Sequence, residues 1–426
     1  MTARIQTLWS KADQVYHEYP RTFWVLMAGM FIDRLGTNLI MPFLAVYVAK
    51  RFNAGMTEVG IILTIFAVSG VAGTFLAGAM ADRFGRRSVL IIGLVFGSLS
   101  RVGLGLATNM QGLYLIAISA GFFGTVGWPA QAAMVADILP EQQRADGFGI
   151  QRVVANLTWV LGPMIGGVLA PVTGYLLLFI LDAATSFVMA AMVVALLPET
   201  RPERTGQGGE SFGQSMAGYG LVLRDGIFMA FMLVSILMVA AYQQMYSALS
   251  VYLVRYQHLP ESFYGLLLML NAGMVVVLQF PITRWSSKHP PMLIMIAGTA
   301  LYLVGLTAYG VVSSLVVFAG AMALISLGEM LAMPTAQALV ALLSPRDMRA
   351  RYAAFYGFSW VIPQALAPLG AGLIMDNLNP AWVWYACGLV CALTIAGFWA
   401  LHLRTGPRIA EQAALSAATS QASAAK

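Results

Sequence analysis

The sequence predicts an all-α polytopic membrane protein: twelve transmembrane helices in two pseudo-symmetric six-helix halves. Three observations carry this. Of 426 residues, 59% are hydrophobic and only 10% charged, against about 25% charged in soluble domains. The apolar residues fall in long uncharged runs separated by short charged loops, and twelve runs reach the roughly 20 residues that cross a bilayer. Finally, residues 128–167 shifted by 205 positions without a gap match at 10 of 40 places, with Pro129 on Pro334, Pro140 on Pro345, Arg144 on Arg349, Pro163 on Pro368 and Gly167 on Gly372.

The runs are 21–49, 58–80, 88–107, 111–139, 146–170, 174–197, 225–254, 261–283, 291–311, 314–343, 349–375 and 380–402, numbered here as spans 1 to 12. Residues 1–20 are polar and amphipathic with no cleavage-site pattern, so span 1 reads as a retained helix rather than a signal peptide. The hydrophilic stretch 198–224 divides the chain into six-helix bundles at 21–197 and 225–402. The tail 403–426 is Ala/Ser/Gln-rich towards its end, a composition that suits disorder. The 42 glycines suit close helix packing in lipid. Cys387 and Cys391 are too few for a disulfide framework or a zinc site.

Charge sets the orientation. Of the 24 Lys and Arg, Arg34, Arg101 and Arg152 lie within spans and Lys50, Arg51 and Arg255 lie outside. The remaining 18 fall in cytoplasmic loops and tails if the N-terminus is inside. This positive-inside bias places both termini in the cytoplasm. Two parallel six-span halves form a transporter architecture, with the substrate path between them.

The loop between spans 2 and 3 reads GAMADRFGRR, with Gly78, Asp82, Arg83, Gly85, Arg86 and Arg87. Gly85 permits a tight turn and Gly78 a close helix approach. The spacing G-x-x-x-D-R-x-G-R-R resembles the loop signature of the major facilitator superfamily. The second half's PITRWSSKHPP lacks the acid and the glycine, so the two halves are not equivalent in gating. The resemblance implies that Asp82, Arg86 and Asp137, the acid closing span 4, hold the cytoplasmic side shut in the outward-facing state. Span 5 carries Gly162, Pro163, Gly166 and Gly167. This G-P-x-x-G-G resembles the motif of exchangers in the superfamily, with Thr158 where the family has a preceding glycine. Physically, Pro163 bends the span and the glycines leave a smooth packing face. LPET at 197–200 is a further match to the twelve-span drug:proton antiporter (multidrug efflux) branch. That branch has an arginine in span 4 where Ala117 stands here, while Arg101 occurs in span 3.

An ionisable residue in mid-span costs at least about 2.5 kcal/mol and faces a cavity or a partner. Asp33, Glu329 and Asp182 are the proton-coupling candidates. Burial disfavours a carboxylate and a nearby arginine favours it, so a carboxyl between these influences exchanges a proton as its surroundings change. Asp33 lies near the middle of span 1, and an Asp33–Arg34 ion pair is the structural alternative. Asp182 lies nearer the outer third of span 6, where external water is the expected contact. The cavity candidates by helical face are Arg34, Asn38, Arg101, Asn156, Trp159, Tyr242, Gln243, Tyr246, Asn271, Gln337 and Gln364, the last lying between Pro363 and Pro368 in a broken span 11.

No phosphate-binding loop, metal-ligand cluster, catalytic constellation or nucleic-acid module occurs in the sequence. The resemblance therefore implies a secondary transporter, with no catalytic residue, no metal and no cofactor, driven by the proton gradient rather than ATP. It would export small amphipathic or drug-like molecules from a bacterial inner membrane by alternating access, functional as a monomer in the lipid bilayer. The rivals are a proton-coupled uptake symporter and a narrow-specificity metabolite exporter of the same fold. From another class comes a membrane-embedded enzyme or receptor on a transporter scaffold, which would need an added catalytic constellation or folded soluble domain.

Overall fold

Hydropathy places each span to within a few residues of the helix that forms. The computed structural model describes residues 17–200, 221–311, 314–345 and 348–424. Among them, twelve helices are long and apolar enough to cross a membrane: Arg21–Arg51, Met56–Ala77, Arg86–Leu106, Met110–Ile138, Asp146–Thr173, Tyr175–Leu196, Gly226–Tyr256, Glu261–Ser286, Pro291–Val311, Leu315–Leu343, Arg351–Asn377 and Trp382–Thr405.

Local chemistry sets the ends. The Asn109 side chain accepts the Gly112 N–H at 2.8 Å and Asp225 accepts the Phe228 N–H at 3.0 Å. Each thereby satisfies a free donor at the start of spans 4 and 7. Gly85 (φ +92°) and Gly174 (φ +77°) turn the chain before spans 3 and 6, in a backbone region that costs glycine nothing.

Some spans are interrupted. Span 1 tightens to a 3-10 turn at Met41–Phe43, around Pro42. Span 7 unwinds after Gln243, re-forms at Ala248–Val251 and ends in a π turn at Tyr252–Tyr256. Span 11 corrects the expectation of a break between its prolines. The helix Phe358–Asn377 runs through both Pro363 and Pro368, and the interruption comes at Gly357, after Arg349–Tyr356. Each proline removes one backbone bond, which a helix packed among neighbours tolerates. The last helix continues to Ala424, past the point where composition suggests disorder, because alanine and glutamine are good helix formers.

The helices form two units, Met1–Tyr47 with Ile65–Arg204, and Val48–Thr64 with Thr205–Lys426. In the first, span 3 packs against spans 4 and 6, and span 1 against spans 5 and 6. In the second, span 9 packs against spans 10 and 12, and span 7 against spans 11 and 12. Adding six to each span number of the first pattern gives the second, so the sequence repeat is a repeat of helix packing. The hairpin tip Val48–Thr64 groups with the second unit, whereas hydropathy, which follows chain order, assigns it to the first half. Its bonds explain why. Asp376 accepts two of its N–H groups, Arg255 donates to the Ala54 carbonyl at 2.9 Å, Lys50 pairs with Glu261, and Thr64 donates to the Ala365 carbonyl.

Candidate transport site

In the first unit, the i, i+4 pair Asp33 and Thr37 on span 1 faces the i, i+4 pair Asp182 and Ser186 on span 6, and Arg101 of span 3 bonds both span 6 residues. Gly36 makes this approach feasible, since a Cβ there would collide with the Thr185 hydroxyl. The Ser186 hydroxyl donates to Asp33 at 2.7 Å and accepts from Arg101 Nη2 at 3.0 Å. Arg101 Nε donates to Asp182 in an ion pair, and the Thr37 hydroxyl donates to the other Asp182 oxygen at 2.9 Å. One continuous chain of hydrogen bonds thus links the two carboxylates.

Asp182 corrects its sequence reading: it is 0% exposed, not open to external water. The 6% exposed Arg101 supplies the compensating charge, without which such burial would be prohibitive. The Asp33–Arg34 ion pair does not form either. Neighbouring residues on a helix do not face each other, and the Arg34 guanidinium lies instead over the Trp128 ring, 4.9 Å from its centroid. Asn38 turns to span 5, where it donates to the wholly buried Thr158 at 3.1 Å. Also on span 5, Asn156 is half-buried and Trp159 exposed.

In the second unit, Asn271 of span 8 donates to both Glu329 (2.8 Å) and Ser326 (3.0 Å) of span 10. Tyr242 also stands beside the Glu329 carboxyl, and its hydroxyl is 3.1 Å from that of Tyr246. The Tyr242 ring meets Tyr302 at 5.5 Å and the edge of Trp360 at 6.1 Å. Glu329 is half-buried in this aromatic and amide surround. Spans 7 to 12 hold no lysine or arginine away from their ends. Gln243 is half-buried, while Gln337 and Gln364 are exposed and make none of these hydrogen bonds.

At the loop between spans 2 and 3, Arg86 and Asp137 form an ion pair at 2.6 Å. The surroundings of Gly78 and the side chain of Asp82 lie outside the described residues. Arg83 is exposed, over the Phe84 ring. Glu199 of LPET has a role that sequence reading missed. Its carboxylate accepts the backbone N–H groups of Arg86 (2.8 Å) and Arg87 (3.2 Å), capping span 3 from the end of span 6. Arg87 in turn donates to the carbonyls of Val193 and Val194, and Arg86 to that of Thr200. In span 5 the helix runs unbroken through Pro163. Gly162 and Gly166 press on the backbone of Asn38 and Leu39, so spans 1 and 5 touch closely there, and Gly167 is buried beside them.

Missed residues include Ser186, Trp128, Tyr302 and Asp376. Ser186 had a signal, its i+4 spacing from Asp182; the others lie in apolar runs or at a span end without one.

Known proteins resemble this chain in sequence and in fold. The chain is 26% identical over 424 residues to the Na(+), Li(+), K(+)/H(+) antiporter of Planococcus maritimus, covering 91% of this chain and 97% of that one. It is 29% identical over 215 residues to multidrug resistance protein 1 of Bacillus subtilis, covering 50% of this chain and 54% of that one. The crystal structure of the nucleoside transporter NupG (D323A mutant) has the same fold, with TM-score 0.78 at 13% identity over 89% of this chain and 100% of that one. With twelve apolar helices in two like-packed sets, and the family profile matching residues 26–274 and 245–424, the chain belongs to the Major Facilitator Superfamily.

Proposed function

We propose that this transporter exports small amphipathic, drug-like molecules in exchange for protons. The observation that carries this reading is the Glu329 carboxyl, which has amide and hydroxyl neighbours but no cationic partner among the described residues. A carboxylate half-buried among amide and aromatic groups is stabilised by a neutralising charge. A proton can supply it, and so can a cationic substrate. The two compete for one site, and that competition makes an exchanger when the site opens to each side in turn. The aromatic rings of Tyr242, Tyr246, Tyr302 and Trp360 suit a flat or lipophilic cation. In the first unit, Asp33 is the second proton carrier, held by Ser186 and close to Arg101. The names of the antiporter and multidrug-resistance relatives agree with this reading. Alternating access would rock the two halves about a midplane site in a bacterial inner membrane, both termini cytoplasmic, with the protein acting as a monomer.

A second reading is exchange of alkali cations for protons. It is favoured by the extent of the match to the Planococcus protein, 91% of this chain, against 50% for multidrug resistance protein 1.

Everted vesicles with an acid interior separate the two. Under drug exchange, a fluorescent lipophilic cation accumulates inside, the accumulation collapses with a protonophore, and Glu329→Gln abolishes it. Under the second reading, sodium, lithium or potassium dissipates the pH gradient and the dye does not accumulate. Neither response, from protein shown to be folded, would sink both readings.

A further inference from the structure

The interior of the first unit holds two carboxylates and two guanidiniums, and they are not paired evenly. Arg101 binds both Asp182 and Ser186. Asp33 takes its hydrogen bond from Ser186. Arg34 is left with no hydrogen bond or ion pair to a side chain or carbonyl among the described residues, and its contact is the Trp128 ring. It lies 13 residues beyond Arg21, the start of its helix, roughly 20 Å along the axis and too deep to reach the surface easily. A guanidinium over an aromatic ring uses its face, while its N–H donors point outward in the plane, in the fork that matches a carboxylate. Trp128 is 59% exposed, so an apolar surface adjoins those unspent donors.

We propose that Arg34 and Trp128 form a subsite for aromatic carboxylates, distinct from the cation site at Glu329 and going beyond the exchange proposed above. The subsite is linked to protonation of Asp33. The charged groups around Asp33 are Arg34 on its own helix, Arg101 on span 3 and Asp182 on span 6. With Asp33 ionised these four groups sum to zero. With Asp33 protonated they leave one net positive charge, which favours an anion at Arg34. Acidification therefore strengthens carboxylate binding here, whereas it weakens cation binding at Glu329.

The test uses the full chain in nanodiscs of zwitterionic lipid, with 1-naphthoate and tetraphenylphosphonium as separate probes in calorimetric titrations. Naphthoate is expected to bind more tightly at about pH 6 than at about pH 8, and Asp33→Asn to remove that dependence. Arg34→Gln should weaken naphthoate about tenfold or more, the effect of losing a charge-assisted pair. The same variant should leave tetraphenylphosphonium within about twofold, which also reports that the protein is folded. Arg34→Lys keeps the charge but not the fork, and should lose an intermediate amount. No naphthoate binding by the wild type, or equal binding by the wild type and Arg34→Gln, overturns the subsite. Loss of both probes in both Arg34 variants also overturns it, making Arg34 structural. Naphthoate binding without tetraphenylphosphonium binding in the wild type leaves the subsite standing and removes the cation reading instead.

Discussion

Asp376, in the last turn of span 11, caps a helix whose first residues precede it by 320 positions: its carboxylate accepts the backbone N–H of Met56 at 2.7 Å and that of Thr57 at 2.6 Å. Both residues belong to the second unit. The first N–H groups of a helix have no partner within it, and a negative charge there also meets the positive end of the helix dipole. Gly55 adjoins the cap, and a Cβ at that position would stand 2.8 Å from Asp376 Oδ2.

Asp376→Ala should therefore destabilise the protein by about 0.5–2 kcal/mol, the usual worth of a helix cap. Asp376→Asn should lie between, because the amide oxygen still accepts while the charge is gone. Thermal unfolding of the purified protein in detergent checks the ranking. Gly55→Val should lower the melting temperature too, and add little in the Asp376→Ala background. Equal melting of Asp376→Ala and the wild type would show that water replaces the cap at no cost.

The Arg101–Asp182 pair gives the larger effect. Removing either partner strands a buried charge, a loss of about 3–5 kcal/mol. Arg101→Met and Asp182→Leu should each reduce the amount of folded protein recovered from membranes. The double variant should be more stable than either single one, because two apolar groups replace two charges. Additive losses in that double-mutant cycle would mean that the two residues act separately.

Much of this was legible in the chain and some was not, for physical reasons. Span positions depend on the cost of exposing polar groups to lipid, a property of each stretch by itself. The repeat of Pro129 on Pro334 likewise needed no structure, and it reappears as the shared packing pattern of the two halves. Partners are different. The sequence around Asp182 points to external water because nothing local shows that Arg101, 81 positions earlier, closes against it. Asp376 lies one residue past the end of span 11 as hydropathy draws it, and its role depends on a helix far away in sequence. Pro363 and Pro368 suggested a broken span 11, but the local rule against proline yields to packing in a membrane helix.

Close helix contact predicts opposite outcomes for two glycines. A Cβ at Gly166 would overlap the Leu39 carbonyl and lie 3.1 Å from the Phe43 ring, whereas one at Gly273 meets nothing within 4 Å. Gly166→Ala should force spans 1 and 5 apart and destabilise by about 1–3 kcal/mol. Gly273→Ala should be neutral or stabilising by up to about 1 kcal/mol, since alanine favours the helix. Melting temperatures of the two variants test this, and a Gly166→Ala protein as stable as the wild type would contradict the close packing of spans 1 and 5.

Glu199 makes a prediction with a local readout. Its carboxylate holds the first two N–H groups of the helix Arg86–Leu106, and Gly85 leaves room for it, since any Cβ there would strike the carboxylate. Glu199→Ala frees those donors, at about 0.5–2 kcal/mol if water does not replace the carboxylate fully. Amide hydrogen exchange should then rise at Arg86 and Arg87 by roughly two- to thirtyfold, following the same free energy. Amides in the middle of the helix, around Gly93, should not change. The Arg86–Asp137 ion pair runs through side chains rather than this backbone cap, so Asp137→Asn should leave exchange at Arg87 near its wild-type rate. If both variants speed exchange equally, the cap and the ion pair melt as one unit, and Glu199 has no separate hold on the loop.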